Sequence, residues 1–191
     1  MQPYSLILFV HVISSMGMIA CLSLLILGEE MARRVQSPAE LSSIGDKQLR
    51  VASVLKAIVP VLALSGLYMA WSAWSLRAAW VIVAFLALVY LTLSGPLVFA
   101  KRMQRARDAA VAAGAITPAV RAILDDPAFA MIKHIRLGLV VMIVFLMTTK
   151  PGFVGTLVAL GAAVVLGAVS ARTRFGVPID SAKASVAAPE V

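Results

Sequence analysis

Between Met1 and Gly28 the chain carries no charged side chain, and His11 is the only titratable residue there apart from Tyr4 and Cys21. An ionisable side chain held in hydrocarbon is costly, so it marks a functional site by default. On a helix of 3.6 residues per turn, Ser14, Ser15 and Met18 share the face of His11, with Cys21 at the edge of that stripe. Two chemistries suit such a histidine. It can tie its helix to a neighbour through a hydrogen bond, as structural glue. Alternatively, one ring nitrogen donates such a bond while the other binds a metal or takes a proton.

The second reading needs partners at the same depth. With Tyr4 at the surface, His11 lies about 10 Å down at 1.5 Å per residue. Counting inward from Trp74, that depth falls near Tyr68 and Met69 on the second apolar helix. Counting from Lys150, it falls near Met142 and Ile143 on the fourth. Imidazole with thioether is an axial pair for haem iron and also suits copper. His11, Met142, Met69 and Tyr68 are therefore the candidate cofactor-binding residues, with His11 as the metal ligand and haem b or copper as the cofactor. His134 starts its helix on the opposite side and does not share a ligand with His11. Most of the nine methionines are ordinary packing. No zinc-site spacing, Gly-rich phosphate loop or nucleophile elbow occurs.

The elements that must position these residues follow from composition. The 191-residue chain is 61% hydrophobic and 14% charged, with mean hydropathy +0.96. Soluble domains are about half apolar and about a quarter charged, so this is an integral membrane protein. The net charge of +8 flanks apolar spans rather than forming a nucleic-acid surface. A single cysteine excludes an intramolecular disulfide.

The first helix covers Leu6 to Leu27 and runs on into Glu29, Glu30, Arg33 and Arg34. Ser37-Pro38-Ala39-Glu40 is a capping box that predicts a short surface helix ending near Gly45. Asp46 then caps a second long helix that reaches Trp74, with a kink at Pro60 and Lys56 snorkelling to the nearer surface. Trp71, Trp74 and Trp80 form an interfacial belt around the next turn. A third helix starts near Arg77, is interrupted at Pro96, and emerges through Lys101–Asp108 to stop at Gly114. Thr117-Pro118 opens a short helix, and Asp126-Pro127 opens the fourth long one, which stops at Lys150-Pro151-Gly152. The fifth runs from about Phe153 to Ser170. Its Gly155, Ala159, Ala163, Gly167 and Ala171 recur every four residues, a small-residue ladder for close helix packing. The ladder's partner is another helix of the bundle, a second copy, or a membrane complex. Residues 176–191 read as a disordered polar tail. The fold class is all-α: one transmembrane domain, 1–175, of five helices, embedded in the lipid bilayer.

Charge sets the orientation. Fourteen of the 17 Lys and Arg fall at one end of the five spans, only Arg77 and Lys150 at the other, and Lys56 lies within. This asymmetry places the N-terminus outside and the C-terminus in the cytoplasm of a bacterial inner membrane.

Three stretches carry a resemblance: Leu8-Phe9-Val10-His11-Val12-Ile13, the run PVLALSGLYMA from Pro60 to Ala70, and Leu146-Met147-Thr148-Thr149-Lys150-Pro151-Gly152. Together they resemble a group of small bacterial predicted integral membrane proteins of unknown function, over the first four spans. They are also distantly similar to copper-resistance-D-like and HemJ-type protoporphyrinogen-oxidase families. In the HemJ type, the resemblance implies a first-helix histidine that works with an intramembrane lysine. It carries over to His11 alone, since Lys56 lies on the second helix near the opposite face. The function expected first is binding of haem, porphyrin or a soft metal around His11. The alternative is a structural or accessory subunit of a membrane complex, and the third is a porphyrinogen oxidase or small transporter.

Overall fold

The computed structural model describes residues 3–175. The expected disordered tail, 176–191, lies outside the described residues. Among them the fold is all-helical: α1 (Pro3–Ala32), α2 (Pro38–Ala73), α3 (Ala79–Ser94), a π-helical segment (Gly95–Ala100), α4 (Lys101–Ala113), α5 (Pro118–Leu124), α6 (Pro127–Thr149) and α7 (Phe153–Phe175). Five spans are long and apolar enough to cross a membrane. Helices do so because every backbone polar group finds its partner within the segment. The alternation of the spans gathers residues 29–47 and 101–130 at one end, hereafter the arginine end. Residues 74–78 and 150–152 form the other, the tryptophan end.

One expectation is corrected. The short surface helix and the second long helix are a single helix, α2, of 36 residues. Ser37 caps it as expected, accepting from the Glu40 amide at 3.3 Å, while Glu40 accepts from the Gln36 amide at 2.9 Å. Gly45 does not end a helix. It is buried against α4, where a Cβ would meet Met103 Cγ at 3.9 Å. Asp46 accepts from Arg107 Nη1 of α4 at 2.9 Å rather than capping. The polar residues that read as punctuation are contacts of a helix about 54 Å long, well beyond the hydrocarbon thickness.

The interruption at Pro96 takes the form of the π-helical turn Gly95–Ala100, which absorbs the backbone donor that proline lacks. Beyond it, α4 continues to Gly114, whose φ of 65° closes the helix in the left-handed conformation. At the arginine end α4 and α5 bury Ala32, Leu41, Ala106, Ala110 and Val120 completely. Arg121 holds the carbonyls of Arg33 and Val35, and Arg102 donates to Ile123 O at 2.7 Å.

In the membrane the helices pack as two antiparallel hairpins. In the α1/α2 pair, Gly17 faces Ile58 and Gly28 faces Gln48. In the α6/α7 pair, a Cβ at Gly138 would stand 2.4 Å from Ala163 O, and one at Gly167 2.7 Å from Ile135 Cα. The backbones touch there because no side chain intervenes. The hairpins meet around Met18, Leu22 and Leu62, packed by Leu88 and Val140. Trp80, Leu91, Leu139, Met142 and Leu146 build the core between α3 and α6. Outward side chains such as Val154, 72% exposed, and Leu64, 68% exposed, suit a lipid environment.

Candidate functional site

His11 sits on α1 about two turns from Met18 of the contact between the hairpins and packs against α2. Its Nδ1 is 3.2 Å from Leu62 O and 3.1 Å from Ser65 Oγ. A carbonyl only accepts, so Nδ1 carries the proton. Ser65 Oγ in turn donates to the carbonyls of Val61 and Leu62, at 2.6 and 3.1 Å. In the neutral ring Nε2 then keeps the lone pair, and among the described residues no group hydrogen-bonds to it. Gly66 permits this approach: a Cβ there would stand 2.9 Å from His11 Cε1.

This register differs from the depth count. His11 meets Leu62, Ser65 and Gly66, one turn deeper on α2 than Tyr68 and Met69. The count assumed that Trp74 and Tyr4 mark one plane, whereas the imidazole settles where α2 lacks a Cβ. Ser65 and Gly66 were the legible signal: two adjacent small residues in an apolar span mark a place where another helix can come close.

His11 lines a cavity of about 480 Å³ between the hairpins, open toward the tryptophan end. Its walls come from α1, α2, α3 and α6. Met18, Leu62, Leu88 and Val140 are its deepest residues, and Tyr4, Trp74, Trp80 and Lys150 line its mouth. Most of the remaining lining is aliphatic. The hydroxyls of Ser15 and Thr148 are turned onto their own helices, donating to His11 O at 2.8 Å and to Val144 O at 3.0 Å. Lys150 lies over the Trp74 ring at 4.2 Å, and Trp74 meets Trp80 edge-on with centroids 6.0 Å apart.

The sequence candidates divide. His11 and Met69 both line the cavity, with Met16, Met18 and Met147 as further thioethers. Tyr68 and Met142 are not lining residues: Tyr68 stacks edge-on with Trp71, and Met142 is buried in the α3/α6 core. His134 is buried on α6, its Nδ1 2.7 Å from Ala130 O, at the α7 contact and apart from the cavity. Lys56 is exposed on α2 and lines no part of the cavity. Of the ladder, Gly155 is exposed, Ala159 half-buried, and Ala163 and Gly167 are buried against α6.

Sequence reading did not single out a second polar site, at the arginine end. Arg136, buried on α6, lies over Phe99 at 4.6 Å and against Gly95 of the π-helical turn. Its Nη2 donates to Leu91 O at 3.4 Å, and its Nε has no partner. Glu29, Lys133 and Arg102 lie nearby. The contact between the hairpins separates this cluster from His11.

Among the described residues no group of three or more His, Cys, Asp or Glu could hold a metal ion. The cavity therefore offers one nitrogen, several thioethers and a large apolar volume. None of the curated proteins and none of the solved structures matches the chain. A family model described as a predicted integral membrane protein, DUF2269, matches residues 5–151 and so takes in the four cavity-forming helices from Ser5 through Lys150. An all-helical bundle with five apolar spans, matched over most of its length, belongs to the DUF2269 family of predicted integral membrane proteins.

Proposed function

We propose that this membrane protein binds a planar apolar molecule of porphyrin size between its hairpins, where His11 Nε2 would hold the iron of a molecule that carries it. The observation that carries the reading is His11 itself. Its proton is committed to α2 through Nδ1, and the ring lines a 480 Å³ apolar cavity with its second nitrogen unengaged. Histidines that ligate metals donate their other ring N–H to a carbonyl or carboxylate in the same way, which fixes the ring and raises its basicity. Ligand pockets of small molecules have volumes of about 300–1,000 Å³ with a few placed polar groups. A bare copper ion would need several donors converging on a point, whereas one nitrogen on a wide apolar wall suits a ligand that brings its own donors. Iron bound there would supply redox or gas-binding chemistry; the chain orients the ligand and excludes water. Met69 is the lining thioether, among the candidates named from the sequence, that would serve as a second donor.

The accessory-subunit alternative has less support. Ala163 and Gly167 of the α7 ladder lie against α6 of the same chain and are not free for a partner. The likeness to HemJ-type enzymes adds nothing, since Lys56 is remote from the cavity. Haemin titration into the detergent-purified protein tests the reading. The parent should give a shifted Soret band and quenching of Trp74 and Trp80, with 1:1 stoichiometry. His11→Gln, which keeps a donor and an acceptor but is a poor iron ligand, should lose the Soret shift while His134→Gln retains it. Equal titrations of all three proteins would refute the assignment.

A further inference from the structure

Resting on the cavity reading above, we infer that the site selects an apolar molecule that carries a carboxylate, and that Lys150 at the cavity mouth receives that carboxylate. Among the described residues Lys150 has no counterion. The described carboxylates run from Glu29 to Asp46 and from Asp108 to Asp126, all at the arginine end, and none of the ion pairs involves Lys150. Its ammonium instead rests on the face of Trp74, and both residues line the cavity. Lys150 is exposed at the mouth, held by the Trp74 ring but free to form a charge-assisted bond to an anion that enters the cavity.

The backbone points the same way. Lys150 has φ 47° and ψ 54°, the one left-handed non-glycine residue among those described. That position closes α6 and favours glycine over a residue that carries a side chain. Gly152 follows two residues later without occupying the position. From that position the lysine side chain reaches the Trp74 ring at the cavity mouth. The other polar groups of the lining do not compete for an anion: Ser15 and Thr148 donate to their own helices, and His11 Nδ1 donates to Leu62. The other donors at the mouth, Tyr4 and the indole N–H groups of Trp74 and Trp80, are neutral, so Lys150 is the charged donor there. A ligand with an apolar body and one acidic edge therefore has a single orientation: body toward Met18 and Leu88, acid toward Lys150.

The probes are metal-free protoporphyrin IX, a dicarboxylic acid, and its dimethyl ester, titrated into the full chain in phosphatidylcholine nanodiscs and read by tryptophan quenching. Without iron, binding does not depend on coordination by His11. The parent should bind the acid roughly tenfold more tightly than the ester, the factor expected for one charge-assisted bond. Lys150→Gly should bring the ratio to about one. This variant places glycine where the backbone favours it, so its unfolding midpoint should equal or exceed the parent's. Lys150→Arg should keep the preference. Equal affinity of the parent for acid and ester would overturn the carboxylate assignment, and with the ester bound it would leave the cavity reading standing. Failure to bind either probe, or haemin, would count against the cavity reading itself. If adding phosphatidylglycerol to the nanodiscs abolishes the preference, Lys150 serves lipid headgroups and the assignment is overturned.

Discussion

Replacing Gly138 with alanine places a methyl group against backbone. An ideal Cβ there falls 2.4 Å from Ala163 O and 3.2 Å from Ala163 C, whereas ordinary contact begins near 3.4 Å. No rotamer relieves the clash, because both sides are main chain, so α6 and α7 must separate by on the order of 1 Å. Parting them also loosens the Gly167–Ile135 contact, where the two backbones approach most closely after Gly138. Overpacking of this kind costs about 1–3 kcal/mol, offset by up to about 1 kcal/mol of helix propensity gained over glycine. The net expectation is a loss of about 1–2 kcal/mol. Gly161→Ala on α7 is the matched control. Nothing lies within 4 Å of its Cβ position, so only the propensity gain of about 0.5–1 kcal/mol applies. Titration of the purified protein with sodium dodecyl sulfate in mixed micelles, followed by circular dichroism, reads both. The midpoints should move in opposite directions. Coincident midpoints would refute close α6/α7 packing.

Gly66→Ala should leave the bundle folded and weaken haemin binding about tenfold, because displacing Cε1 breaks the Nδ1–Leu62 bond that orients the ring; unchanged affinity would detach His11 from its α2 cradle. Gly45→Ala should stabilise by about 0.5–1 kcal/mol if α2 runs unbroken through this position, and destabilise if a helix ends there, as read by the same micelle titration. Cysteine placed at position 77 should react with a membrane-impermeant maleimide on intact cells, and cysteine at 105 should not; the native Cys21 is buried and gives no background. Labelling at 105 would invert the orientation derived from charge.

The spans, their caps and their ends were legible because each has a local cause. Thr117-Pro118, Asp126-Pro127 and Gly114 act through their own backbone neighbours, and they stand where the sequence put them. Gly45 and Asp46 misled because their role is tertiary: one admits α4, and the other pairs with Arg107. His11 was conspicuous as the lone imidazole of an uncharged span. Its neighbours on α2 were not, since a depth count fixes height to within a turn and leaves helix rotation undetermined. Rotation separates Met69, which lines the cavity, from Tyr68, which does not. It likewise buries Met142 in the core while Ile143 lines the cavity. Arg136 escaped attention because it sits among basic residues that orient the chain, and only the fold folds it inward over Phe99.

The central claim is that the space beside His11 holds a small molecule rather than lipid. Native mass spectrometry of the full chain, extracted in mild detergent from the cells that make it, tests this most directly. The account predicts a bound mass in the porphyrin range, retained by the parent and by His134→Gln and, when that mass includes iron, lost from His11→Gln. A parent that carries only phospholipid, or nothing, from haem-replete cells would contradict it.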